Sequence, residues 1–423
     1  MTVVLLKYIS TFGIHKSVDK FKPTYSKYRY PLYFFALVAG WPCIFYLMGW
    51  LPFYKTNYIV LFILVGVTAL HKNAYRLVPK PIATIILFQI IVWLLYGLFH
   101  DDASYLTRVF LLLITLSLLG IQLSYRNKFE FIKTYIIWLA FQAIAGTIGF
   151  VLVLIGLLQP ISQFTEMDGR PGYFYGIFTT NAVFDHFIRN AGFYDEPGAL
   201  AFWGIFALLL NKLYINNKKI EYLLLFGLVS TLSMAYFIQV FAYFFFFYKN
   251  QRMKILLPLI LFLLVIIGIT SLNTDLDNAI FGRFRIDKQT GNLSGDNRTE
   301  LLEKTWKIFK TSPMIGVGAT SLATNIAKKN GFMGANFFVN WASDGIFGVV
   351  MTYIPLLFLL KLGQFKRQYT YAFIIILLGY FQRPYTDTQL LYPLLQYTLI
   401  LFAYLNVNKH NFKQVSNSIF KNQ

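Results

Sequence analysis

Cysteine and charge are what this 423-residue chain has least of. Its one cysteine, Cys43, lies in an apolar run, so neither a disulfide framework nor a thiolate metal site is available. Only 13 % of the residues are charged, against 57 % hydrophobic and 19 % aromatic. A soluble chain of this length would need charged surfaces around two or three cores, whereas here long apolar runs recur from Pro31 almost to Leu405. The composition is that of an integral membrane protein, read as all-α, polytopic and built as one membrane domain over 1–423. Residues 1–30 are mostly polar and basic and lack the order of a signal peptide, so the first membrane helix is expected to act as the insertion signal. Catalytic motifs are missing too. There is no GxxxxGK[ST] loop for nucleotide-driven work, no HExxH and no GxSxG. The five histidines, His15, His71, His100, His186 and His410, are scattered, so no metal site is expected and no cofactor is implied.

Apolar periodicity yields about twelve spans, at 31–51, 57–70, 81–99, 105–123, 133–158, 199–215, 221–232, 235–248, 255–271, 341–360, 370–382 and 388–406. The net charge of +20 does not point to nucleic acid, because with the N-terminus inside every inner segment is basic. Examples are Lys72, Arg76 and Lys80, then Lys212, Lys218 and Lys219, then Lys361, Lys366 and Arg367. Residues 1–30 and the tail 407–423 are then both expected in the cytoplasm. Residues 221–248 are short for two spans, yet a single helix would put Lys249, Arg252 and Lys254 outside. A hairpin turning at STLS, 230–233, resolves the parity. The run AYFFFFYKN at 242–250 reads as a lipid-facing belt, and Asp101 and Asp102 as a solvated turn.

Two outer loops, 159–198 and 272–340, are far longer than the other connections, and long structured loops on one face usually carry function. In the second, Asn297 and Glu300 form a capping box for a helix with Leu302, Trp306 and Phe309 on one stripe. Such a helix is suited to the membrane interface, and Pro313 ends it before the small-residue turn MIGVGATS. Arginines and acids gather in these loops: Arg170, Arg189, Asp195, Glu196, Arg283, Arg285, Asp287, Arg298 and Glu300. The planar guanidinium fork suits phosphate oxygens, and at an outer membrane face the obvious phosphate carriers are lipid-linked.

RNAGFYDEPGALAFW, from Arg189, resembles the R-x-x-G-x-x-x-E-P segment that precedes a membrane helix in the O-antigen ligase and polymerase superfamily. Arg298, Trp306, SPMIGVGATS and ANFFVNWASDGIFG similarly resemble that superfamily's later R, W, P-x-x-G-x-G and N…G-x-x-G block. The resemblance implies a metal-independent glycosyltransferase acting on polyprenyl-pyrophosphate-linked oligosaccharide outside the cytoplasmic membrane. It also implies a chain-length co-polymerase and a flippase as partners beside membrane lipid. Ligases of the superfamily resemble one another in a His-Asn pair where this chain has Ala335 and Asn336, the superfamily often shows Thr-x-Ser-Arg where this chain has Thr231, Ser233 and Met234, and its polymerases vary more at both places. Both departures favour a polymerase of the Wzy type, for O-antigen, capsule or exopolysaccharide, over a ligase transferring glycan to lipid A core.

The resemblance implies roles as follows. Arg189 and Arg298 would stabilise the leaving pyrophosphate, with Arg283 and Arg285 replacing the absent turn arginine and Asn336 contributing to binding. Glu196 leads the carboxylates that would deprotonate the acceptor hydroxyl, followed by Asp195 and Asp344. Each residue also has a plain structural reading. Asp195, Glu196 and Asp344 stand where helix caps belong, and Pro197 where a first turn begins. Arg189 is placed to bind lipid headgroups, and Arg298 to be solvated. A transporter or flippase of lipid-linked sugars would also have about twelve spans, but it would carry ionisable residues in mid-span. Here Arg108, near one span end, stands almost alone. A scaffold in an export complex would tolerate loss of any one of these residues.

Overall fold

The computed structural model describes residues 33, 63, 77–124, 128–165, 171–184, 187–194, 196–248, 298–326, 336–382, 384 and 390–421. The expected spans 31–51, 57–70 and 255–271 lie outside them, apart from Tyr33 and one residue at 63. The described body is mostly helical. Five of its helices are long and apolar enough to cross a membrane: Lys80–Phe99, Ser104–Ser124, Glu130–Val153, Pro197–Ile215 and Val339–Gly363. In chain order α1 is Lys80–Phe99, α2 Ser104–Ser124, α3 Glu130–Leu154, α4 Pro197–Leu210, α5 Lys218–Gly227 and α6 Met234–Phe247. They are followed by α7 Arg298–Phe309, α8 Val339–Gly363, α9 Arg367–Gln382 and α10 Leu391–Lys421. The expected tail from 407 is a continuation of α10, not a separate segment.

The stretch 221–248 folds as the expected hairpin. A wide turn at Asn211–Ile215 ends α4, and Asn216 turns the chain with φ 55°. Asn217 then caps α5, its side chain accepting from the Lys219 and Ile220 amides. A 3-10 turn, Leu228–Thr231, closes α5, and Leu232, at φ 47°, reverses the chain into α6. At the other end of this hairpin Glu221 is buried and accepts from Lys218 Nζ at 2.9 Å and Tyr243 Oη at 2.5 Å, with Tyr248 also bonded to it. The aromatic run of α6 is therefore divided. Phe241 and Phe245 are exposed, while Tyr243, Phe244 and Tyr248 are buried, the two tyrosines because their hydroxyls serve a buried carboxylate. The expectation of a uniformly lipid-facing belt is corrected to half a belt.

Helix α8 is broken at Gly345, which takes φ 63° and ψ −173°. An unbroken helix would satisfy the Ala342 and Ser343 carbonyls with the amides of Ile346 and Phe347. Here the loop after α7 inserts at the break and exchanges those bonds. Val317 and Gly318 donate to the Ala342 and Ser343 carbonyls at 3.0 and 2.9 Å, and Ile346 and Phe347 donate to the Pro313 and Met314 carbonyls at 2.9 and 3.1 Å. Glycine is required at both crossing points. A Cβ on Gly316, at φ 73°, would lie 2.2 Å from the Ser343 carbonyl oxygen, and one on Gly345 would lie 2.4 Å from the Met314 carbonyl carbon. The sequence P-x-x-G-x-G…D-G thus encodes one device, a loop spliced into a split helix.

The first large outer loop departs from the all-α reading. It holds β1 Ser162–Thr165 paired antiparallel with β2 Pro171–Phe174, and β3 Thr180–Phe184 paired antiparallel with β4 Phe187–Asn190. In the second loop, α7 packs on the start of α8 through Phe309 against Trp341 and Trp306 against Phe338, at ring separations of 5.9 and 4.8 Å. Its buried stripe also includes Thr305, so protein, as well as any membrane interface, occupies its apolar side.

Candidate functional site

The RNAG segment is set by two neighbouring elements. Arg189 sits on β4 opposite Asn181 and is half-buried. Asn190 is fully buried and donates through Nδ2 to the Ala143 carbonyl at 3.1 Å and to Ser230 Oγ at 3.0 Å. Its Oδ1 accepts the Gly192 amide, and Gln142 Oε1 of α3 accepts the Phe193 amide, both near 3 Å. Gly192, at φ 59°, gives the turn its left-handed step, and a Cβ there would meet Gln142 Oε1 at 2.5 Å. Thr147 Oγ1 lies 2.9 Å from Ser230 Oγ and completes the junction. The segment that begins with Arg189 is therefore held on the 228–233 turn, the place where Thr231, Ser233 and Met234 replace the superfamily's arginine motif.

Glu196 follows at the mouth of α4. It occupies the N-cap position in extended conformation, yet its side chain makes no capping bond; Pro197 and the Glu196 carbonyl, which accepts the Ala199 amide at 3.0 Å, begin the helix instead. The plain capping role considered for this carboxylate is thus not the one it plays. Asp195, Arg170, Arg283 and Arg285 lie outside the described residues. So does Asn297, one half of the expected capping box.

In the later block, Arg298 is the first residue of α7. Asn336 is buried and its Oδ1 accepts both the Thr305 hydroxyl and the Phe338 amide at 3.0 Å, pinning α7 to the entrance of α8. Trp306 is partly exposed beside it and stacks on Phe309 at 5.1 Å. Asn336, Phe337, Phe338, Leu302 and Phe381 line a small apolar hollow between α7, α8 and α9.

Asp344 has a different setting. It is wholly buried one residue before the break, and Arg108 of α2 grips it at both oxygens, Nη1 to Oδ2 at 2.9 Å and Nη2 to Oδ1 at 3.2 Å. Tyr105 donates to Oδ1 and Tyr96 to the Asp344 carbonyl, each at 2.9 Å. The guanidinium lies over the Trp93 ring, 4.4 Å from its centroid, and 4.7 Å from that of Tyr105. Beside this box the 100–103 turn receives the inserted loop. Asp102 is buried and accepts the Thr320 amide and hydroxyl at 2.9 and 2.7 Å, while His100 Nε2 lies 3.1 Å from the Ile315 carbonyl. Burial pushes the Asp102 carboxyl up, but the hydrogen bonds from Thr320 and Ser104 outweigh it and hold it below the ordinary carboxylate range. Asp101 is exposed and Asp102 is not, which corrects the reading of the pair as a solvated turn. Arg108, Tyr96 and Tyr105 were missed as site-building residues. The signal for Arg108 was a lone cation within an apolar run.

Among the described residues no group of three histidines, cysteines or acids stands close enough to hold a metal ion. Residues 222–345 match the family model described as O-antigen ligase, from within α5 to the break glycine of α8. No curated protein matches the chain, and no solved structure does. That match, over less than half of the chain, supports the resemblance to the O-antigen ligase and polymerase superfamily, whose members act on lipid-linked glycans in membranes.

Proposed function

We propose that this protein is a polysaccharide polymerase that joins polyprenyl-pyrophosphate-linked repeat units at the outer face of the bacterial cytoplasmic membrane. The observation that carries this reading is the hydrogen bond from Asn190 to Ser230. It ties the Arg189 segment, which lies outside the family match, to the first turn inside it. The Arg189 segment and the hairpin turn of the matched stretch are therefore held together.

In the proposed reaction an acceptor sugar hydroxyl attacks the anomeric carbon of the donor. A new glycosidic bond forms, the bond to the pyrophosphate oxygen breaks, and polyprenyl pyrophosphate leaves with the electron pair. Negative charge grows on that oxygen, and Arg189 and Arg298 are assigned to meet it, with Arg283 and Arg285 as further cations. Glu196 takes the hydroxyl proton, as the carboxylate at the mouth of α4. Asp195 is held in reserve for the same task. We assign Asp344 and Asn336 to architecture, since the oxygens of Asp344 are gripped by Arg108 and Tyr105 and the amide oxygen of Asn336 holds α7. Energy comes from the activated donor, so no nucleotide loop is needed.

The ligase reading has one observation in its favour, the description of the matched family. Purified protein in liposomes, given a lipid-pyrophosphate-linked repeat unit, separates the two. A ladder of lengthening glycans that disappears in Arg298→Ala and Glu196→Gln variants of native fold supports polymerisation. Transfer of a single band only when lipid A core is added makes the protein a ligase. Lipid movement across the bilayer without transfer makes it a transporter and refutes both.

A further inference from the structure

The first β-hairpin offers a surface that the reaction does not use. Helix α3 exposes Ile137, Phe141, Ile148, Val151 and Ile155 along one stripe. From Ile137 to Ile155 that stripe rises about 27 Å, close to the roughly 30 Å of a bilayer's hydrocarbon layer. The stripe does not stop at the end of the helix. Gly156 turns the chain at φ 74°, and the exposed apolar side chains continue in Leu157, Ile161 and Ile177. Ile155, Leu157, Ile161 and Ile177 are 60, 73, 70 and 63 % exposed, among the highest values for large apolar residues in the described chain. They are held in place from beneath, where buried Tyr175 packs with Val153, Leu158, Tyr173 and Phe178, and the Ile161 amide donates to the Phe174 carbonyl at 2.8 Å.

We propose that the β1–β2 hairpin and the following turn at Gly176–Phe178 rest on the lipid of the adjacent leaflet and insert Leu157, Ile161 and Ile177 at the boundary between headgroups and acyl chains. Two features select lipid over a protein partner. The patch continues the outward stripe of a helix that is itself long and apolar enough to span. Among its described residues it also carries no charged rim: no Asp, Glu, Lys or Arg occurs from 134 to 165 or from 171 to 184, where the polar residues are uncharged and Tyr173 is half-buried, while Glu166, Asp168 and Arg170 between the two strands lie outside the described residues. Interfaces between proteins usually keep a polar, charge-bearing rim, whereas uncharged polar groups and tyrosines suit the headgroup zone. The hairpin would thus fix the height of the outer loop, and of the β3–β4 hairpin behind it, relative to the membrane. This inference does not depend on the polymerase reading.

The test uses the full chain in liposomes with Cys43→Ser, and Ile177→Cys or Leu157→Cys carrying a nitroxide label; Thr311→Cys, exposed beyond α7, is the aqueous reference. The labels at 177 and 157 are expected to show a several-fold higher ratio of oxygen to water-soluble nickel accessibility than the label at 311. A fluorophore attached at the same cysteines should also be quenched by lipids brominated high on the acyl chain. A ratio equal to that of the reference overturns the proposal. Shielding from both reagents, with cross-linking of two copies through the same cysteines, also overturns it and assigns the patch to a second chain. Gel filtration of each variant shows that the fold has survived.

Discussion

Removing Arg108 isolates what holds the split helix in place. In Arg108→Met the carboxylate of Asp344 keeps its Tyr105 bond but loses two charge-assisted bonds, in a site where the two side chains are 3 % and 0 % exposed. Breaking a buried pair from one side leaves an uncompensated charge and costs about 4 kcal/mol, roughly a thousandfold in the folding equilibrium. Because that cost comes mostly from the abandoned charge, neutralising it should return much of the loss. The double variant Arg108→Met/Asp344→Asn is expected to recover at least half, since asparagine still accepts from Tyr105 and the methionine still fills the space against Trp93. Unfolding in mixed micelles of increasing denaturing-detergent fraction, followed by tryptophan emission, gives the three energies for a double-mutant cycle. A single-variant cost below about 1 kcal/mol, or a double variant that is simply the sum of both losses, would refute the assignment of the pair to architecture. The same double variant tests chemistry. Folded and still elongating glycan, it excludes Asp344 as the base; folded and inert, it restores that role.

Three further outcomes follow from the geometry. Gly316→Ala and Gly156→Ala impose the same left-handed strain, φ 73° and 74°, but only the first drives a Cβ into the Ser343 carbonyl. Thermal unfolding should therefore show a loss of about 1 kcal/mol for Gly156→Ala and several times that for Gly316→Ala, and equal losses would show that the inserted loop does not fill the break. Asn190→Ala strands the Gly192 amide and should cost about 1–3 kcal/mol and most of the activity, while Ser230→Ala removes one of its partners and costs less. Unfolding and product ladders from both variants, with their combination showing non-additive losses, check the junction. Asp102, whose carboxyl is held below its ordinary value of 3.8, stabilises the docked loop at pH above that value and loses this contribution as the pH falls through its lowered folded-state pKa. The protection of the Thr320 amide, relative to its intrinsic exchange rate at each pH, should fall in that acid range, and Asp102→Asn should abolish that change.

The membrane body was legible because lipid leaves the chain few options: a backbone crossing hydrocarbon must satisfy its own hydrogen bonds, so apolar length reports helix and basic flanks report parity. That argument reached even the awkward stretch 221–248, where charge parity demanded a hairpin and the structure provides one at Leu228–Thr231. Outside the spans the same logic loses its grip. The β-hairpins of the first loop are four or five residues per strand, too short for a periodic signal to separate from turns. The α7 stripe was readable, but whether protein or membrane covered it depended on Phe338 and Trp341, which follow it by about 30 residues.

The Arg108–Asp344 pair marks the boundary between reading residues and reading contacts. Each is an anomaly on its own, a single charge in an otherwise apolar run, and each was noticed singly. They are 236 positions apart, so no spacing rule connects them. Topology nevertheless does. The parity that places the 100–103 turn on one face places the start of the 341–360 span on the same face, and both charges fall within the first two turns of their helices. An unpaired ion at that depth is costly, so two such ions of opposite sign at equal depth are each other's expected partner. Depth, as well as motif, is thus a reason to expect a partner for Asp344 on a neighbouring helix. What the sequence withheld was the exchange of backbone bonds at Gly345, because Ala342, Ser343, Pro313 and Met314 contribute only carbonyls, which every residue has. The glycines at 316 and 345 were its visible trace, and their spacing signified a crossing of two backbones before it signified any chemistry.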